Sequence, residues 1–458
     1  MRKKSDMLLD YAETDWLGSR PVFYNEKTGK ISYQINEVID DQNIRFHPEG
    51  LRNYFRFGYS VFGQTPIEDV KFLRYASKIE KGKDGKPVIT YLEDPAESLL
   101  GQKADSREVL EKIRESIQEW EKTVSGSIIL PLSGGYDSRL LLADVKDKSK
   151  IKAYSYGYSK RQEDSFEVVR ARKLAENYRL DWKNIKLGGF LNYMDEWNEM
   201  YGPAIHAHGM YQMEFYKKIC EDTKGTDHAV LSGIIGDGWA GNVRIKEIGR
   251  IEDLALLGYA HGLCIQEDIC LLPEVRELQK QFYEENKEKL REENWRILFA
   301  MRMKIMLLRY LLETPRQYGM SAWSPFLDKD IALSMLNIPW QEKEGRLWQK
   351  RYFEETHIEY GWLKKECDYN MIIDENALRN VTPEPLNEKL LAKIIKPDYV
   401  EWINRMLVHK PLPSFSAKPK TMRNIANKAI KKINAGKMKA LIAYEIIYPL
   451  QKVMEKAF

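Results

Sequence analysis

Strand-like and helix-like runs alternate from residue 127 to residue 238, and this alternation limits the folds open to the chain. "SIILPL" (127–132) is followed by the helical pattern "DSRLLLADV". "IKAYSYG" is followed by "EDSFEVVRARKLAENY", and "DWKNIKL" by "MYQMEFYKKICED"; "HAVLSGIIGDG" (228–238) closes the series. Strands separated by helices predict an α/β, doubly wound parallel sheet, whose ligands bind beyond the carboxyl ends of the strands. A helix precedes the series: Asp105 and Glu108 can cap it, and Val109, Leu110, Ile113, Ile117, Trp120 and Val124 recur at helical spacing.

Two of the strands end in unusual loops. The first, "SGGYDS" (133–138), places Ser133, Gly134 and Gly135 between a strand and a helix. Glycines let the backbone approach an anion, and the free amides of a helix start point positive charge at it. Ser133 and Ser138 can donate hydroxyls to phosphate oxygens. Asp137 would be repelled by phosphate unless a cation lies between, which points to Mg²⁺. The lysine of a GxxxxGK[ST] loop is absent, so a loop that grips β and γ phosphates as a leaving group is expected, with attack at the α phosphate. The second loop, "LSGIIGDGWAGN" (231–242), supplies Gly236 and a second carboxylate, Asp237. One Mg²⁺ shared by Asp137 and Asp237 would stabilise a departing pyrophosphate.

The bulk properties are those of a soluble, multi-domain chain. At 458 residues with 43% apolar and 31% charged residues, more than one domain is expected. No apolar run approaches the roughly twenty residues that span a bilayer. The four cysteines show no CxxC pairing, so neither a disulfide framework nor zinc is expected, and a cytoplasmic location fits. Charge is uneven: from Lys410 onward eleven basic residues face two acidic ones, a local +9 within a net +4. This basic C-terminal stretch reads as the solvated surface of two amphipathic helices, or as a contact for an anionic partner. "PVFYNEKTGKISYQI" and "EKGKDGKPVITYLED" read as hairpins, and "HKPLPSFSAKPK" (409–420) as a loop. Residues 1–100 form one unit in this reading, 101–345 the sheet-bearing unit, and 346–458 a helical basic region.

The motifs together resemble the asparagine synthetase family, with its relatives β-lactam synthetase and the lasso-peptide cyclases. SGGYDS is similar to that family's SGGxDS pyrophosphatase loop, "LSGIIGDGWAGN" to its second loop, and "SPFLDKDIALSMLNIP" to its PFLD segment. "DWLGSRPVFYNEKTGKISYQINEVI" with "YFRFGY" resembles the later half of its N-terminal glutaminase domain. The resemblance implies a PP-loop synthetase domain with a helical C-terminal part, preceded by a small, mainly β remnant of the glutaminase-like domain. It implies ATP and Mg²⁺ as cofactors, with Ser133, Gly134, Gly135, Asp137 and Ser138 on pyrophosphate, Asp137 and Asp237 on the metal, and Leu132, Tyr156 and Gly157 along the nucleotide.

Departures from the family shape the functional expectation. Residue 2 is Arg and the first cysteine is Cys220, so the chain is not expected to hydrolyse glutamine. Nitrogen then comes from free ammonia, a separate glutaminase or another amine, and a peptide-binding partner is a further possibility. On the acceptor side, Ile234 stands where asparagine synthetases have Glu, and Ser321 and Trp323 replace the Glu and Arg before PFLD. The family's late lysine corresponds to Arg346, with Lys350 one turn later and Lys343 just before. His206 and His208 in "GPAIHAHGMYQ" stand before a helix, placed to orient a polar substrate or act as a base. Arg139 and Arg316 are further candidates for a phosphate or substrate carboxylate.

The leading expectation is a ligase that adenylates a carboxylate, releases AMP and pyrophosphate, and forms an amide other than asparagine. A small or saccharide-borne carboxylate such as a uronic acid is favoured, in polysaccharide or natural-product biosynthesis. The alternatives are a lasso-cyclase-like macrolactam synthetase, a PP-loop enzyme of tRNA modification, and a non-catalytic partner subunit.

Overall fold

The computed structural model describes residues 8–223, 227–258, 263–358, 367–413 and 420–457. The chain begins with six short strands: β1 (Tyr11–Thr14), β2 (Phe23–Asn25), β3 (Ile31–Ser32), β4 (Val70–Phe72), β5 (Ser77–Lys81) and β6 (Pro87–Tyr91). They make two antiparallel sheets of order β1-β5-β6 and β3-β2-β4. Both expected hairpins form, β2 with β3 and β5 with β6. Ala12, Val22, Tyr24, Ile31, Leu73 and Ile79 pack as a small apolar cluster of their own.

The second sheet region holds β7 (Ile128–Pro131), β8 (Ile151–Ser155), β9 (Asp181–Asn184), β10 (Ala229–Leu231) and β11 (Ser321–Trp323). All four pairings are parallel, in the order β11-β10-β7-β8-β9. Ile128, Ile129, Leu130, Ala153, Val230 and Leu231 are fully buried, as strands covered on both faces require. Helices α1 (Ser106–Thr123), α2 (Tyr136–Asp144), α3 (Phe166–Tyr178) and α4 (Tyr211–Thr223) flank it. Asp105 caps α1, accepting the amides of Arg107 and Glu108. From β7 the chain runs outward through β8 and β9, then returns to place β10 on the other side. The order reverses between β7 and β10, and that switch point opens a crevice at the strands' carboxyl ends. The two Gly/Asp loops leave β7 and β10, so this topology alone sets them side by side.

β11 lies immediately before the stretch read as the PFLD segment, which begins at Ser324. Its three residues are too few to show an alternating pattern.

Four further helices bear on the site or its surroundings: α5 (Glu293–Leu308), α6 (Leu347–Glu355), α7 (Pro397–Leu407) and α8 (Lys420–Ala457). α5 is buried nearly all round, from Trp295 to Leu307. The basic C-terminal stretch differs from the expected pair of amphipathic helices: Lys420–Ala457 form one helix of 38 residues. Leu441, Ile446, Ile447, Leu450 and Val453 anchor its second half in the core, while Lys428, Lys431, Lys432 and Lys439 stay exposed. Of the expected 409–420 loop, residues 414–419 lie outside the described residues.

Candidate active site

At the first loop, the chain must turn from β7 into α2 within four residues. Gly134 makes that turn at φ +67, and a Cβ there would sit 2.5 Å from the Arg170 side chain. Only glycine meets both demands without strain. Gly135 then stands at the N-cap of α2 with no side-chain cap, so the amides of the helix start stay available to an anion. The Ser133 and Ser138 hydroxyls lie 3.3 Å apart beside these amides.

The second loop packs directly on the first. A Cβ on Gly236 would lie 3.1 Å from the Asp137 carboxyl carbon, and one on Gly233 3.1 Å from the Asp137 Cβ. α5 presses on the same loop, with the Met301 sulfur 2.4 Å from where a Gly238 Cβ would be. The glycines therefore bring the two carboxylates together.

Asp137 bears the marks of a ligand site. Its side chain is 21% exposed, yet Oδ1 is buried and accepts no hydrogen bond among the described residues. The same Oδ1 lies 3.5 Å from the Arg346 guanidinium, an ion pair longer than a hydrogen bond. Burial raises its pKa to about 7; Arg346 opposes the rise, and the neighbouring Asp237 charge adds to it. Two carboxylates held together at such a cost fit a divalent cation, and Mg²⁺ commonly takes one or two carboxylates plus substrate phosphates. No group of three or more potential metal ligands occurs among the described residues, so the phosphates would have to complete the shell.

The three cations expected near the α phosphate occupy different places. Arg346 reaches the first loop, carried there by two successive left-handed residues, Gly345 and Arg346, at φ +56 and +58. Lys350 is exposed. Lys343 points elsewhere: its ammonium is buried, donates to the Leu336 carbonyl at 2.5 Å and lies 3.4 Å from Asn294. Burial lowers its pKa to about 8.

A cavity of about 570 Å³ opens beyond the strand ends. Leu132, Ser133, Tyr156, Ile234 and Asp237 line it on the strand side, and His206, His208 and Lys304 also line it. Gly157 does not line it; it sits against Gln162 and Ser165, where a Cβ would clash at 2.2 Å. Tyr156 joins a tyrosine cluster, its hydroxyl 3.2 Å from that of Tyr158 and accepting from Gln212 at 2.9 Å.

His206 and His208 differ in state. His206 is 2% exposed, and burial, with His208 and Lys304 adding, lowers its pKa to about 3. His208 sits 3.0 Å from Glu445 of α8. Burial works against its charge, but Asp374 and Glu445 outweigh burial and raise its pKa to about 10.

The remaining candidates are not in the cavity. Arg139 stacks on Tyr136 and Phe353, 4.8 and 4.4 Å from their ring centres, and its Nε donates to the Gly135 carbonyl. Arg316 donates to the Ala322 carbonyl at 2.9 Å. Ser321 is exposed on β11, and Trp323 stacks on Trp120 at 5.1 Å.

Lys304 and Glu445 were not singled out in the sequence. Each interrupts an apolar run, Lys304 together with Arg302 in "FAMRMKIMLL" and Glu445 alone in "ALIAYEIIYPL", and that interruption is the available signal. Burial lowers the Lys304 pKa to about 8, with Asp237 opposing.

Residues 125–360 match the asparagine synthase family model. Among solved structures the chain is similar to an NH3-dependent NAD synthetase from Campylobacter jejuni subsp. jejuni NCTC 11168, at 17% identity over 45% of this chain and 96% of that one, with a TM-score of 0.25. It is also similar to a glutamine-dependent NAD+ synthetase from Acinetobacter baumannii, at 14% identity over 60% of this chain and 56% of that one, with a TM-score of 0.24. No curated protein matches it. The family match spans more than half of the chain and contains both loops, Arg346 and β7 to β11; the chain belongs to the asparagine synthase family, and with it to the ATP-dependent amide-forming ligases.

Proposed function

We propose that the chain adenylates a carboxylate with ATP, releasing pyrophosphate, and passes the acyl group to ammonia or an amine with release of AMP. The observation that carries this is the Asp137 site: a buried carboxylate oxygen that accepts no hydrogen bond among the described residues, beside Asp237, under a glycine turn and an uncapped helix start, and 3.5 Å from the Arg346 guanidinium. Ser133, Gly134, Gly135 and Ser138 would hold pyrophosphate, and Leu132 and Tyr156 the nucleotide. Asp137 and Asp237 would hold Mg²⁺, which when bound neutralises charge building on the departing pyrophosphate. Arg346 supplies a fixed positive charge at the same end.

The substrate we favour is a small hydroxylated acid of the uronic type. Its support is the cavity wall, where tyrosine hydroxyls, Gln212 and the histidines offer hydrogen bonds to a polar molecule.

The test is Mg²⁺-dependent ATP–pyrophosphate exchange by the purified chain, run with a panel of uronic acids, other small acids and peptides. Exchange that requires one acid and disappears in Asp137→Ala supports adenylation. ATP turnover indifferent to every acid, or exchange that survives Asp137→Ala, would overturn it.

A further inference from the structure

The strand side of the cavity is taken up by the nucleotide in the reading above, which leaves the wall formed by His206, His208 and Lys304. Three observations on this wall point the same way. His206 accepts the amide of His208 on Nδ1 at 3.2 Å, so in the neutral ring the proton sits on Nε2. That Nε2 is buried and has no partner among the described residues. An orphaned donor in the wall of a cavity is expensive unless a ligand accepts from it.

His208 is the second donor. Its Nδ1 faces Glu445 Oε2 at 3.0 Å, and the Glu445 side chain is only 1% exposed. The carboxylate fixes the ring and leaves Nε2 as its remaining polar atom. The groups facing this ring are Glu445 from α8, Asp374 from the helix Ile373–Asn380, His206, and Tyr211 at the start of α4, whose ring centre is 5.9 Å away. Lys304, from α5, adds an ammonium group to the wall. The 13-residue helix α4 begins directly after these histidines and contributes the positive end of its dipole.

The two histidine donors, the Lys304 ammonium and the helix start favour a ligand that accepts hydrogen bonds and carries negative charge, while Glu445 and Asp374 act on His208 and keep its ring charged. We propose that His206, His208 and Lys304 form the site for the acid substrate's anionic group, and that Glu445 makes the C-terminal helix a working part of the active site by positioning His208. Glu445 lies outside the matched residues 125–360, so the family match does not assign it. The inference rests on the proposed function for its ligand, and its test separates the two.

The experiment uses the full chain with D-glucuronate and D-galacturonate as probes. In ATP–pyrophosphate exchange, His208→Ala raises the KM for the uronate about tenfold or more and leaves the KM for ATP unchanged. Glu445→Gln, close in shape, raises the uronate KM less and leaves kcat near wild type, while His208→Lys restores part of the lost affinity. A uronate KM within twofold of wild type in both His208→Ala and Glu445→Gln overturns the proposal, as does an ATP KM that rises in step. If wild type shows no exchange, calorimetric titration with the same uronates decides. Binding that weakens in His208→Ala keeps this site and removes the adenylation reading; no binding overturns the site.

Discussion

Asp137 is the residue on which most of the proposed chemistry turns. An ordinary aspartate titrates near 3.8, and here the folded chain holds the proton up to about 7. The native state therefore binds a proton that the unfolded state has released, and stability from this group falls as pH rises between about 4 and 7. Asp137→Asn removes that loss. Without divalent cation the variant should melt higher than wild type at pH 8, with the gap closing toward pH 4, while its exchange activity is lost. Equal melting temperatures at pH 8 would refute this account. Among the cations, Arg346→Ala should cut exchange about a hundredfold, whereas Lys350→Ala should have little effect. Lys343→Ala should act on the melting temperature first, since its ammonium is used inside the fold. At Gly134, alanine meets both a left-handed φ and the Arg170 side chain, and a loss of about 1–3 kcal/mol is expected in denaturant melts.

At the scale of elements, the glycine loops and their strands were legible because the chemistry is local: a short apolar run, a turn only glycine makes, and an acid directly after it. The parallel sheet followed from the alternation of patterns. β11 was not legible, because a three-residue edge strand takes its place from pairing with β10 and not from its own composition. For the same reason Trp323 and Arg316 looked like substrate groups in the sequence. In the fold, Trp323 covers Trp120 of α1 and Arg316 ties the last turn of its own helix to the Ala322 carbonyl. Trp323→Ala should therefore cost about 1–2 kcal/mol of stability, from the lost ring stacking and partial burial, with the substrate KM unmoved. A raised KM with normal stability would return it to the substrate site. The histidine wall was half legible: the pair could be read from "HAH", but Glu445 lies more than two hundred residues away and meets it only through packing.

On the scale of the whole molecule, no helix among the described residues is long and apolar enough to cross a membrane. Lys428, Lys431, Lys432 and Lys439 of α8 are exposed, while Leu441, Ile446, Ile447, Leu450 and Val453 of the same helix lie in the core. Reversing Lys428, Lys431 and Lys432 to Glu should change stability by no more than about 0.5 kcal/mol per site and leave exchange intact. If exchange instead fell with the melting temperature unchanged, the basic face would belong to the working surface of the enzyme.

The helix α5 joins distant parts of this molecule. Arg302 on it is buried, holds both oxygens of Asp94 at 2.7 Å and donates to the Trp16 carbonyl. Two residues further along, Lys304 lines the cavity, and Met301 bears on the second loop. Removing the first hundred residues would strand the Arg302 charge in the core, a penalty of about 3–5 kcal/mol, on the helix whose Lys304 lines the cavity. Selection on catalysis would thus preserve the N-terminal sheets even in a lineage where they had no reaction of their own, and a gene shortened at that end would lose the ligase along with them.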